Sequence, residues 1–132
     1  MLNKVLVVDD SALIHQMYRL VLSRYACEIA DAMNGQEALD VLARQDDIQL
    51  ILLDINMPVM NGVQFLEKAA ALGIQRRLPI IVISTEGKEE DTIRALKLGA
   101  KGYLKKPFSP PDLYKLIEQI IPAAAPAQTA KT

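Results

Sequence analysis

The chain has 132 residues, 51% of them hydrophobic and 23% charged, with a formal net charge of −1. That length suits one globular domain with a full core. The composition excludes a disordered or fibrous chain, and the charge balance excludes a broad cationic field for DNA or an anionic membrane. In chain order, short apolar runs alternate five times with longer stretches of helical period. Val5 to Val8 is wholly aliphatic, as in a strand buried on both faces. Ser11 then caps a helix whose stripe is Ile14, Met17, Tyr18, Val21, Leu22 and Tyr25. His15 falls off that apolar stripe and is expected in solvent. Cys27 to Ala30 forms a second short run, with Cys27 as a small buried hydrophobe and no disulfide or zinc partner. Asn34-Gly35 opens a helix with Ala38, Leu39 and Leu42 inward, and Glu37 is spaced for a capping arrangement.

The third run, Leu50 to Leu53, ends on Asp54; a loop with Pro58 and Asn61-Gly62 leads to a helix over about Val63 to Leu72. The fourth run, Ile80 to Ile83, ends on Ser84, and a helix of roughly Glu89 to Leu98 follows. Glu89, Glu90 and Asp91 suit its N-terminus, and Gly99 suits its C-cap. The fifth run, Gly102 to Leu104, ends near Lys105-Lys106-Pro107. The last helix opens at Ser109 with Pro110 first, and carries Leu113, Leu116, Ile117, Ile120 and Ile121 inward. The expected fold is α/β: a doubly wound five-stranded parallel sheet with helices on both faces. Residues 1–121 form the domain, and the Ala/Pro-rich residues 122–132 form a flexible tail. No signal segment or apolar stretch of about 20 residues occurs, so a cytoplasmic location without membrane insertion is expected.

In open parallel sheets, ligands bind beyond the carboxyl ends of the strands. Those ends carry Asp9 and Asp10, Asp54, Ser84 and Lys106. A single Asp at a strand end reads as a turn or cap residue, but four strand ends together bring three carboxylates, a hydroxyl and an ammonium to one pocket. Such carboxylates repel one another and favour a hard divalent cation, Mg²⁺, with oxygen ligands and retained waters. One carboxylate of the first strand, one oxygen of Asp54 and a carbonyl of the following loop leave room for an incoming phosphoryl oxygen. Asp54 is then the nucleophile, with Lys106 and Ser84 stabilising the transferred group.

The motifs VLVVDD, LLDINMPVMNG, IVIST and GAKGYLKKPF resemble the response-regulator receiver family, specifically its stand-alone CheY-like members, over about residues 3 to 121. The resemblance implies the flavodoxin/CheY-like (βα)5 strand order 2-1-3-4-5. It implies Asp54 as phosphoacceptor, Asp10 as the more direct Mg²⁺ ligand, Asp9 acting through metal-bound water, and the backbone carbonyl of Asn56 as a further ligand. Lys106 pairs with the phosphoryl group, and the Lys106–Pro107 bond is cis. Ser84 and Tyr103 form the switch, while Asn56 and Glu86 modulate water access. Thr85 departs from the usual Ala, and Ser84 from the usual Thr.

The function so implied is a single-domain response regulator of a two-component system, of phosphorelay or chemotaxis type. A sensor histidine kinase or phosphotransfer protein is its donor, and a face of the fourth helix, fifth strand and fifth helix is its output. It is a phosphoacceptor switch that assists its own phosphorylation and dephosphorylation. Two other classes are a phosphorylation-independent docking module and an aspartate-nucleophile phosphatase. The complete acidic, hydroxyl and Lys positions oppose the first, and the lack of an insertion long enough for a substrate-enclosing cap opposes the second.

Overall fold

The alternating pattern folds as five strands and five helices in a computed structural model that describes residues 1–85 and 89–126. The elements are β1 (Lys4–Val8), α1 (Ala12–Val21), β2 (Glu28–Ala32), α2 (Gly35–Arg44), β3 (Leu50–Leu53), α3 (Gly62–Ala71), β4 (Ile80–Ser84), α4 (Glu89–Lys97), β5 (Gly102–Lys105) and α5 (Pro110–Ile120). All strand pairs are parallel, in the order β2-β1-β3-β4-β5. The chain therefore reverses its direction of travel beside β1 and β3, and the carboxyl ends of those strands open onto a crevice.

Period-two alternation divides the core in two. Leu6, Val8, Ile51, Leu53, Ile80 and Val82 face α2, α3 and α4, where Phe65, Leu66 and Ala95 are buried. Val5, Val7, Leu50, Leu52, Ile81 and Ile83 face α1 and α5, against Tyr18, Leu113 and Ile117. Strand segments with helices on both sides are apolar throughout, which accounts for the aliphatic runs Val5–Val8, Leu50–Leu53 and Ile80–Ile83 within β1, β3 and β4.

Helix starts follow the local chemistry. The side chains of Ser11, Asn34 and Ser109 each accept a hydrogen bond from the backbone N–H three residues on, and Asn61 forms a full capping box with Gln64. Glu37 reaches past the cap to the N–H of Met33, 3.0 Å away.

Four expectations need correction. The strand expected at Cys27–Ala30 is Glu28–Ala32, because pairing with β1 sets its register from Lys4↔Glu28 to Val8↔Ala32. As an edge strand it tolerates the exposed Glu28 and Asp31, which an apolar-run criterion misses. Cys27 precedes the strand and is half-buried, with its Sγ 3.8 Å from the Leu22 carbonyl. The first helix ends at Val21 and tightens into a 3₁₀ turn over Leu22–Tyr25. Finally, the segment expected to be loose from Pro122 begins with an ordered 3₁₀ turn, Pro122–Ala124, and Ala124 is buried beside α5. Residues 127–132 lie outside the described residues.

The β3–α3 loop is tightly constrained at both ends. A Cβ on Gly62 would lie 2.4 Å from the Asp54 carbonyl oxygen and 2.7 Å from the Ile55 Cα, both backbone atoms that cannot yield cheaply. Gly62→Ala is expected to lower stability by about 2–4 kcal/mol in urea unfolding. Val59 sits at φ 66° although β-branched, and its side chain is 81% exposed. Left-handed backbone is unfavourable by about 1–2 kcal/mol for such a residue, and its exposed side chain offsets little of that. Val59→Gly is expected to raise stability by about 0.5–1 kcal/mol, the gain being reduced by the greater freedom of unfolded glycine.

Candidate functional site

The ends of β1, β3 and β5 contribute charged side chains to the crevice, and the backbone pairing of the sheet places them. Asp9 leaves β1 fully buried and is tied at every polar atom. Its N–H donates to the Ala32 carbonyl (3.1 Å), and its carboxylate accepts from the Ser11 N–H (2.9 Å) and from Lys106 Nζ (2.7 Å). Asp10, the next residue, is exposed. Asp54 follows β3, and its N–H donates to the Val8 carbonyl at 2.9 Å. Its carboxylate is 3.8 Å from Lys106 Nζ.

One oxygen each from Asp9, Asp10 and Asp54 lies within 4.8 Å of the others. Burial pushes the Asp54 carboxyl up to about 6; Lys106 pulls it down, Asp9 pushes it up, a hydrogen bond from the Ile55 backbone lowers it, and Asp10 raises it. One ammonium does not balance three carboxylates, and its closest contact is with Asp9. A donor set made only of oxygens, with a net negative charge, fits a hard cation of the Mg²⁺ type.

Ser84 ends β4 and is fully buried. It pairs in register with Lys105, and its carbonyl accepts from the Lys106 N–H at 3.0 Å. That hydrogen bond anchors the start of the β5–α5 turn, whose Lys106–Pro107 peptide is cis. Tyr103 is half-buried and packs against the core on the side of α2, α3 and α4. Asn56 is exposed on the loop two residues after Asp54. Thr85 is exposed as well; it lines an apolar cleft of about 280 Å³ beside the acidic crevice, with Ile14, Met17, Pro107 and Phe108. Glu86 lies outside the described residues. A larger cleft, about 580 Å³, opens at the opposite end of the sheet near Arg76, Arg77 and Lys101, and no carboxylate lines it.

The response regulator receiver domain matches residues 5–118. The chain belongs to the receiver family of two-component response regulators. The chemotaxis protein CheY homolog of Campylobacter jejuni is 36% identical over 89% of this receiver and 92% of its own length. The chemotaxis protein CheY1 of Helicobacter pylori is 38% identical over 89% of this receiver and 96% of its own length. Among solved structures, Vibrio cholerae CheY4 has a TM-score of 0.81 at 34% identity, covering 92% of this receiver and all of that chain. Receivers of this family are phosphoacceptor switches rather than turnover enzymes. Among the described residues, no helix is long and apolar enough to cross a membrane.

The receiver also holds a site residue that the apolar stripe passes over. His15 is not in solvent: it is 4% exposed, with Nε2 2.8 Å from the Asp9 carbonyl oxygen and Nδ1 2.7 Å from an Asp31 carboxylate oxygen. Asp31 is also gripped by Arg19. Burial would raise the Asp31 carboxyl, but the hydrogen bonds from Arg19 and His15 outweigh it and hold it below the usual range. The signal for His15 was its spacing. It stands three residues before Tyr18 and seven before Leu22, both buried, so it shares their inward face.

Proposed function

We propose that this receiver is a phosphorylation switch in which Asp54 accepts a phosphoryl group, in a Mg²⁺-dependent reaction, from a sensor histidine kinase or phosphotransfer protein. The observation that carries this reading is the meeting of Asp9, Asp10, Asp54 and Lys106 in one crevice at the carboxyl end of the sheet. Asp10, Asp54 and the Asn56 carbonyl would hold the metal directly, and Asp9 would hold it through water. When bound, Mg²⁺ supplies positive charge to the crowded carboxylates and to the phosphoryl oxygens.

In the transfer, a carboxylate oxygen of Asp54 attacks phosphorus in line with the leaving nitrogen of the donor imidazole. The P–N bond breaks, and its electron pair returns to that nitrogen. Lys106 moves its ammonium toward the phosphoryl oxygens, and the Ser84 hydroxyl donates a hydrogen bond to one of them. The same groups orient a water when the acyl phosphate is hydrolysed, so the chain assists both steps. Asn56 and Glu86 flank the acceptor and set the access of that water.

The output is a shift between two conformers of the α4-β5-α5 face. Displacement of the Ser84 hydroxyl leaves room for Tyr103, whose strand neighbour is Val82, to turn inward. The exposed Ile93 and Leu96 of α4 suit protein contact on that face. A cytoplasmic protein partner, with neither DNA nor membrane insertion, completes this reading.

The test is incubation with radiolabelled acetyl phosphate and Mg²⁺. The expected result is about one base-labile phosphoryl group per chain for wild type. A wild type that stays unlabelled overturns the switch, and steady hydrolysis of unrelated phosphomonoesters would favour a phosphatase.

A further inference from the structure

Asp9 and Asp10 adjoin in sequence, yet the fold restrains them very differently. Asp9 is held at its N–H, its carbonyl and both carboxylate oxygens. Asp10 is exposed, and among the described residues its side chain makes no hydrogen bond or ion pair. Its aim therefore depends on the peptide plane that joins it to Asp9. One group grips that plane from the helix side: His15 Nε2, donating to the Asp9 carbonyl at 2.8 Å. The ring is itself braced, since Nδ1 meets Asp31 at 2.7 Å and Asp31 is held by Arg19.

We infer that His15 is a positioning residue for the metal site: it locks the Asp9–Asp10 peptide so that the Asp10 carboxylate points at the shared crevice without a tether of its own. This rests on the metal-dependent reading proposed above. The chemistry is that of an outer partner orienting a ligand, whose removal typically lowers metal affinity about 10-fold or more. Asp31 supplies the brace from the edge strand, which ties α1, β1 and β2 together behind the acidic pair.

The two ring nitrogens can be separated by substitution. The amide nitrogen of Gln can stand near the His Nε2 position, and that of Asn near Nδ1. His15→Gln keeps a donor for the Asp9 carbonyl and loses the brace, whereas His15→Asn keeps a donor for Asp31 and frees the peptide. Mg²⁺ binding by titration calorimetry is expected to weaken about 10-fold in His15→Asn and by no more than about 2-fold in His15→Gln. Thermal melts at the titration temperature identify any variant that is not folded. A purely structural histidine would make the two variants weaken alike, or not at all, and either result overturns the inference.

In wild type itself, the Nε2 proton of His15 is expected to be slow to exchange and to shift in ¹H–¹⁵N spectra as Mg²⁺ is added. A rapidly exchanging or unmoved signal overturns the coupling without recourse to variants. Failure of wild type to bind Mg²⁺ overturns both this inference and the proposed function. Normal wild-type binding with equal affinity in His15→Asn overturns this inference alone.

Discussion

Asp54→Asn is expected to abolish phosphoryl uptake and, at the same time, to stabilise the metal-free protein. Loss of uptake follows from loss of the nucleophilic carboxylate. The gain in stability follows from burial of the Asp54 charge. The folded protein holds the Asp54 carboxyl at about 6, against an ordinary value of 3.8, chiefly because the charged form is buried. Between those values the native state binds more protons than the unfolded state, so wild-type stability falls as pH rises from about 4 to about 6. Above that window the full penalty is present, about 1–2 kcal/mol once the open side of the crevice is allowed for. Urea unfolding in chelator at pH 7.5 should favour Asp54→Asn by that amount, and the difference should vanish near pH 4. Added Mg²⁺ should stabilise wild type and narrow the gap at pH 7.5, because it binds the folded crevice. A variant no more stable than wild type at pH 7.5 would mean that burial of the Asp54 charge does not destabilise the fold.

Lys106→Met is expected to have the second large effect, with the opposite sign in the absence of metal. Its ammonium neutralises Asp9, whose side chain is 4% exposed, across 2.7 Å. Removing one partner of a buried pair strands the other charge, commonly at a loss of 3–5 kcal/mol. Here Asp9 keeps the Ser11 N–H, so a loss of about 2–3 kcal/mol is expected. Most of it should return with saturating Mg²⁺, which supplies the missing charge. Phosphoryl uptake should still fall about 100-fold, since the charge-neutralising donor is gone. Lys106 also lowers the Asp54 carboxyl, so the two substitutions should be non-additive. Asp54→Asn should stabilise the Lys106→Met background by more than it stabilises wild type, a coupling that a double-mutant cycle in urea measures directly.

Much of this architecture was legible before any coordinates. The aliphatic runs at Val5–Val8, Leu50–Leu53 and Ile80–Ile83 mark strands enclosed on both faces, because only such strands exclude polar residues throughout. The caps at Ser11, Asn34 and Ser109 were legible because each satisfies N–H groups within three residues of itself. Asp9, Asp10, Asp54, Ser84 and Lys106 stood out because each follows or ends a strand, and a parallel sheet brings those ends to one edge. β2 was misread because an edge strand admits Glu28 and Asp31, and residues 122–124 were misread because Ala124 is buried in the core beside α5.

Local patterns along the chain thus suffice for the parallel α/β fold and for the set of groups at its strand ends. Hydrophobic period, cap chemistry and strand ends are properties of neighbouring residues, and they need no knowledge of packing. How those groups divide their work was set by the packing of distant segments. It placed Lys106 Nζ 2.7 Å from Asp9 and 3.8 Å from Asp54, and left Asp10 exposed. It turned His15 inward onto the Asp9 carbonyl, and it buried the Asp54 carboxylate, beside Asp9, enough to push it up to about 6. Those outcomes depend on distances and burial between distant segments, which no local pattern encodes.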